Sequence, residues 1–74
     1  MEDKTKFSAR EKTILQLVAQ AKCRKIIASE LNLSIHTVDT HLRHIHLKTN
    51  THSMVELLVW AMNGSNHLLL SNYL

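Results

Sequence analysis

A chain of 74 residues with one Cys, one Gly and no Pro has room for a single domain and a modest core. Its 45% apolar share is too high for disorder, one cysteine excludes an internal disulfide, and no apolar run is long enough to span a membrane. A formal net charge of +3, with no apolar signal stretch near residue 1, reads as a cytoplasmic protein with a weak pull toward polyanions.

Residues 1–7 read as a charged, disordered tail. Ser8-Ala9-Arg10-Glu11 has the form of a capping box, so the first helix is expected from about Ala9 to Gln20, with Ile14, Leu15, Leu17 and Val18 inward. A second helix is expected over roughly 24–31, its stripe made by Ile27, Ala28 and Leu31. Small Ala28 permits close approach of a neighbouring helix. Asn32 stands where the chain must turn, and Asn tolerates the left-handed conformation better than most residues. Leu33 is placed to fill the angle, and Ser34 opens a third helix over roughly 35–48. Val38, Leu42 and Ile45, at i, i+4 and i+7, face inward and leave His36, Asp39, Thr40 and Arg43 outward. After a polar connector, Ser53-Met54-Val55-Glu56 reads as a second capping box, opening a fourth helix from Met54 to about Met62 with Gly64 as its stop. No segment alternates with the period of a strand. The fold class is all-α with four helices: a domain over 8–64, and a C-terminal tail over 65–74, rich in Leu, that packs on the fourth helix or on a dimer interface.

The second and third helices, with their tight turn, form a helix-turn-helix, a unit that sets its second helix in the major groove of DNA. Lys22, Arg24 and Lys25 cluster before it, and Arg43 and Lys48 lie along it, opposed between residues 20 and 52 only by Glu30 and Asp39. That distribution suits phosphate binding better than the net charge alone does. The fourth helix has more apolar surface than one buried face needs. Met54, Leu57, Leu58 and Ala61 form one stripe, and Val55, Val59 and Met62 another, which suggests a face shared with a second chain.

From Phe7 to Ala61 the chain resembles the LuxR/GerE-type helix-turn-helix, also found as the output domain of NarL/FixJ-type response regulators. The resemblance rests on S-A-R-E at 8–11, I-L-Q-L-V-A at 14–19, I-A-S-E-L at 27–31, L-S at 33–34, T-V at 37–38, His41, Ile45, Lys48 and V-E-L at 55–57. It implies a four-helix transcription-factor domain that binds double-stranded DNA as a homodimer through the fourth helix. The length from Met1 is similar to that of the stand-alone GerE sort, although a fragment of a larger regulator would have similar limits. The base-reading positions it implies are Asp39, Thr40 and Arg43. Arg43 suits guanine O6 and N7, and Asp39 either accepts from a cytosine N4 or pairs with Arg43 four residues on. Expected backbone contacts are Lys22, Arg24, Lys25, Ser34, His36, Thr37, His44 and Lys48, with the amides opening the third helix as an anion site. His36 and His44 near phosphates are expected to take up protons and tighten binding below about pH 6.5. Val55, Val59 and Met62 are the expected dimer contacts. The chain departs from the family pattern at Ala21 and Asn32, where Gly is usual, at Cys23, where Ser or Thr caps, and at Ile26 and Thr49, where Glu and a core Leu are common.

The six histidines do not assemble a metal site, since His44 and His46 lie on different helix faces with no cysteine to complete a ligand set. Ser53 beside His52, or Cys23 with a distant His, is no arrangement for nucleophilic catalysis, so neither an enzyme nor a cofactor is expected. The alternative function is a protein-interaction module, pairing through the fourth helix with a longer regulator, including as a heterodimer with a related one.

Overall fold

A computed structural model of the chain describes residues 6–63, which form α1 (Ala9–Ala19), α2 (Arg24–Leu31), α3 (Ile35–Thr49) and α4 (Met54–Met62), with no strand among them. Helix α1 packs on α4 and on α3, while α2 packs on α3. Their common core is Phe7, Ile14, Leu15, Val18, Ile27, Ala28, Val38, Leu42, Ile45, Leu57 and Ala61, all buried. The expected α3 stripe is therefore the one that faces in. Leu17, Leu31 and Leu33 are only partly buried against this cluster.

The boundaries follow from local chemistry. Ser8 accepts from the Glu11 amide at 3.1 Å while the Glu11 carboxylate accepts from the Ser8 amide at 2.8 Å, a complete capping box. Ser34 and Ser53 cap α3 and α4 by accepting from Thr37 and Glu56. The second box differs from expectation, because the Glu56 carboxylate reaches one residue further back to the His52 amide at 2.7 Å. Cys23 makes no side-chain cap bond at the start of α2, as its weakly accepting sulfur would suggest. Phe7 was assigned to the tail but is 5% exposed, with its ring edge-on to Trp60 at a centroid distance of 5.9 Å. An aromatic ring placed before the cap is drawn in by the apolar area it buries. Gly64 and the C-terminal tail lie outside the described residues, as do residues 1–5.

Helices α1, α2 and α3 close in the same way. A residue in the left-handed region is followed by one whose amide bonds back five residues: Lys22 to Leu17, Leu33 to Ala28 and Thr51 to His46. The left-handed residue is Asn at two of these ends (φ 57° at Asn32, φ 56° at Asn50) but Ala21 at the first, with φ 64°. An alanine Cβ is crowded there, whereas glycine is not. Ala21→Gly is therefore expected to stabilise the fold by about 0.5–1 kcal/mol, allowing for the extra chain entropy glycine loses. A thermal melt should show this as a rise of about 2–8 °C in Tm.

Candidate nucleic-acid interface

Burying Val38, Leu42 and Ile45 turns the opposite side of α3 outward, and His36, Thr40, Arg43 and His44 are all exposed there. Thr40 and Arg43 are three residues apart and so share a face. Asp39 and Thr37 are half-buried at its edge. The Thr40 hydroxyl donates to the His36 carbonyl at 3.1 Å, which leaves its oxygen free to accept from another donor. At the start of α3 the Ser34 and Thr37 hydroxyls are 2.9 Å apart, beside first-turn amides that have no acceptor within the helix.

The cations expected to contact DNA, Arg43 at a base and the others at phosphates, separate into three groups. Lys25 and Arg43 are exposed and hold no carboxylate among the described residues. Lys22 is paired with Glu30 at 2.7 Å and Arg24 with Asp39 at 2.7 Å, both at the surface. Surface pairs of this kind add little to the stability of the fold. The Asp39 carboxylate thus finds Arg24, fifteen residues back on α2, and not Arg43 on its own helix. No acidic residue lies in the first turn of α2, where helix-dipole charge repels cations, so these carboxylates supply the missing compensation.

Lys48, the third group, is engaged within the fold. Its ammonium donates to Glu11 Oε1 at 2.7 Å and to the Lys6 carbonyl at 2.9 Å, and lies 5.8 Å from the centre of the Phe7 ring. Three partners on the α1 side hold it as a structural anchor. The acidic end of this anchor was legible only as a cap. Glu11 is 4% exposed, and no local pattern reveals a partner 37 residues away. Desolvation raises its carboxyl pKa, but Lys48 and the Ser8 amide and hydroxyl outweigh that, so the net shift is below the ordinary 4.5.

The core Leu expected after Lys48 is replaced by Thr49, and its hydroxyl is accommodated by a relay. Thr49 Oγ1 lies 2.9 Å from the Ile45 carbonyl and 2.8 Å from Thr51 Oγ1, which lies 2.7 Å from His46 Nδ1. The carbonyl can only accept, so Thr49 donates to it. Thr51 must then donate to Thr49, and His46 Nδ1 to Thr51. Every group is satisfied, and the imidazole tautomer is set. Burial lowers the His46 pKa from 6.5, and the proximity of Glu56 raises it less than burial lowers it. His46 also borders an open groove of ≈ 640 Å³ together with Arg24, Asp39, Arg43, Asn50 and His52. Neither His46 nor His52 was singled out from the sequence as a site residue; helical spacing already sets His46 beside Arg43, whereas His52 is brought there by the fold.

Helix α4 separates its two apolar stripes. Leu57 and Ala61 are buried, Met54, Leu58 and Trp60 are partly buried, and Val55, Val59 and Met62 remain 71%, 64% and 64% exposed. No helix among the described residues is long and apolar enough to cross a membrane.

The sequence profile of the family described as bacterial regulatory proteins, luxR family, matches residues 5–61. Over 53 residues the chain is 47% identical to an uncharacterized response regulatory protein of Escherichia coli K12, YgeK, covering 72% of this chain and 36% of that protein. It is 38% identical over 59 residues to the nitrate/nitrite response regulator protein NarL of Escherichia coli K12, covering 80% and 27%. It is 34% identical over 62 residues to the probable transcriptional regulator ycf29 of Cyanophora paradoxa, covering 84% and 30%. The chain thus spans about a third or less of the length of these curated relatives. No solved structure gives a significant match.

Proposed function

This chain belongs to the luxR family of bacterial regulatory proteins, and from that premise we propose that it is a transcriptional regulator reading duplex DNA through the outer face of α3, as a homodimer joined along α4. The observation that carries this reading is Arg43, exposed on α3 and uncommitted to any carboxylate among the described residues, on the outward side of the helix whose Val38–Leu42–Ile45 stripe is buried. A guanidinium so placed can take guanine O6 and N7 together. Lys25, with Lys22 once its surface pair with Glu30 exchanges, would neutralise phosphates. Ser34, Thr37, His36 and His44 would add positioning contacts around the start and outer face of α3. The test is titration of the full chain with labelled duplexes from a random pool across a salt series. A dimer neutralising about eight phosphates should give log K falling against log salt with a slope near −7.

The exposed Val55, Val59 and Met62 face supports the homodimer part, since a contiguous apolar patch on a small domain is costly unless a second surface covers it. Val59→Asp is expected to weaken self-association at least about tenfold, or 1.4 kcal/mol, with sedimentation velocity as the measurement. The fold should be spared, because an exposed substitution costs within about 0.5 kcal/mol. The same face also supports the second reading, a module that pairs with a longer regulator. In that case Val59→Asp should abolish the regulatory effect while Arg43→Ala leaves it intact.

A further inference from the structure

Asp39 presents a difficulty on a surface meant for DNA: a bare carboxylate facing the duplex is repelled by every nearby phosphate. Arg24 relieves it. Its Nη1 donates to Asp39 Oδ1 at 2.7 Å, across the gap between the first residue of α2 and the second turn of α3. The contact is end-on, and Oδ2 accepts no hydrogen bond among the described residues. Both side chains border the groove that Arg43 also lines, so the pair sits beside the reading face. We propose that Arg24 is a positioning residue that turns Asp39 into a cytosine-selective base reader, the two acting as one unit next to Arg43. This rests on the DNA-binding reading above and adds a specificity element to it.

The chemistry selects the base. An ionised carboxylate can only accept, and in the major groove only cytosine N4 and adenine N6 donate. Adenine N7 and the O6, N7 and O4 atoms of guanine and thymine present lone pairs that a carboxylate repels. Cytosine offers its amine with no acceptor beside it on the same base. Arg24 contributes by cancelling the charge that would otherwise oppose docking, and by holding the Asp39 side chain in one orientation with Oδ2 free.

The experiment is selection of bound sequences from a random duplex pool at fixed salt, with the full chain as wild type, Arg24→Gln, Arg24→Lys, Asp39→Asn and the Arg24→Gln/Asp39→Asn double variant. Wild type should select cytosine at one position of each half-site, with about tenfold preference over the other bases. Asp39→Asn should move that position toward adenine, which an amide reads through N6 and N7. Arg24→Gln should flatten it to about twofold or less, with neighbouring positions unchanged, and Arg24→Lys should retain it. The double variant should recover affinity relative to Arg24→Gln alone, because the exposed charge is gone. If Arg24→Gln weakens all sequences equally and keeps the cytosine, Arg24 is only a phosphate contact and the proposal fails. If duplex is bound but Asp39→Asn leaves every position unchanged, the pair reads nothing. Wild type that binds no duplex overturns the parent reading as well, so the two failures are distinguishable. Both side chains are at the surface, so all variants should keep wild-type melting within a few degrees.

Discussion

Arg43→Ala is expected to cost about 1–3 kcal/mol of specific duplex affinity at each half-site, the value of one bidentate arginine–guanine contact. The position is exposed, the Cβ remains on the helix, and no intramolecular partner is left behind, so thermal stability should be unchanged within about 0.5 kcal/mol. The size of the effect depends on Asp39 being occupied elsewhere. Had Asp39 paired with Arg43 along the helix, part of the guanidinium's interaction would already be spent in the free protein; the Arg24 contact removes that competition. Arg43→Lys should recover only part of the loss, because an ammonium keeps the charge but not the planar two-donor fork. Titration of each variant against one selected duplex at constant salt decides the matter. Undiminished affinity in Arg43→Ala would mean that α3 is not the reading element.

Glu11→Ala is expected to be the most destabilising of these single changes, at about 2–3 kcal/mol by chemical denaturation. Roughly 1 kcal/mol is a lost helix cap, and the remainder is a broken ion pair, set below the 3–5 kcal/mol of a fully buried one because Lys48 can swing toward water. For a domain this small that is a large fraction of its stability. Glu11→Gln should lie between, since an amide oxygen can still accept from Ser8. The pH dependence follows from the direction of the shift. The folded-state pKa of Glu11 is below the ordinary 4.5, so its contribution is fully present above that value and is lost as pH falls through the folded one. His46 acts in the same sense from higher up: its pKa is lowered from 6.5, so the unfolded chain takes up its proton first and stability begins to erode below that point. Denaturation midpoints followed from pH 7 downward should fall in wild type, and the acid part of that fall should be reduced in Glu11→Gln.

What could be read from the chain beforehand was whatever depends on neighbours a few residues away. Ser8 with Glu11, Ser34 and Ser53 set helix starts through contacts three residues long, and the ends at Asn32 and Met62 came out where expected. The inward set on α3 followed from spacing alone. The fate of the cations was not legible, because a lysine or arginine tip can reach in many directions and tertiary geometry selects one. Arg24 meets a carboxylate fifteen positions away, and Lys48 one at thirty-seven. Phe7 was misplaced for a related reason: a lone aromatic in a charged stretch has no periodicity to declare its side. Thr49 read only as a departure from a usual core Leu, and what accommodates it needed Thr51 and His46, neither of which carries a motif.

The relay from His46 through both threonines to Ile45 has a mechanical consequence. It clamps the end of α3 to the residues leading into α4 with side-chain bonds as short as 2.7 Å, and the Thr51 amide adds a backbone bond to His46. A hinge cannot open at such an elbow without orphaning hydroxyls inside the protein. Any torque applied to one arm is therefore delivered to the other. For a dimer joined along α4, the pitch and separation of its two reading arms would be dictated by this stiff joint, and the duplex would have to adapt to the protein.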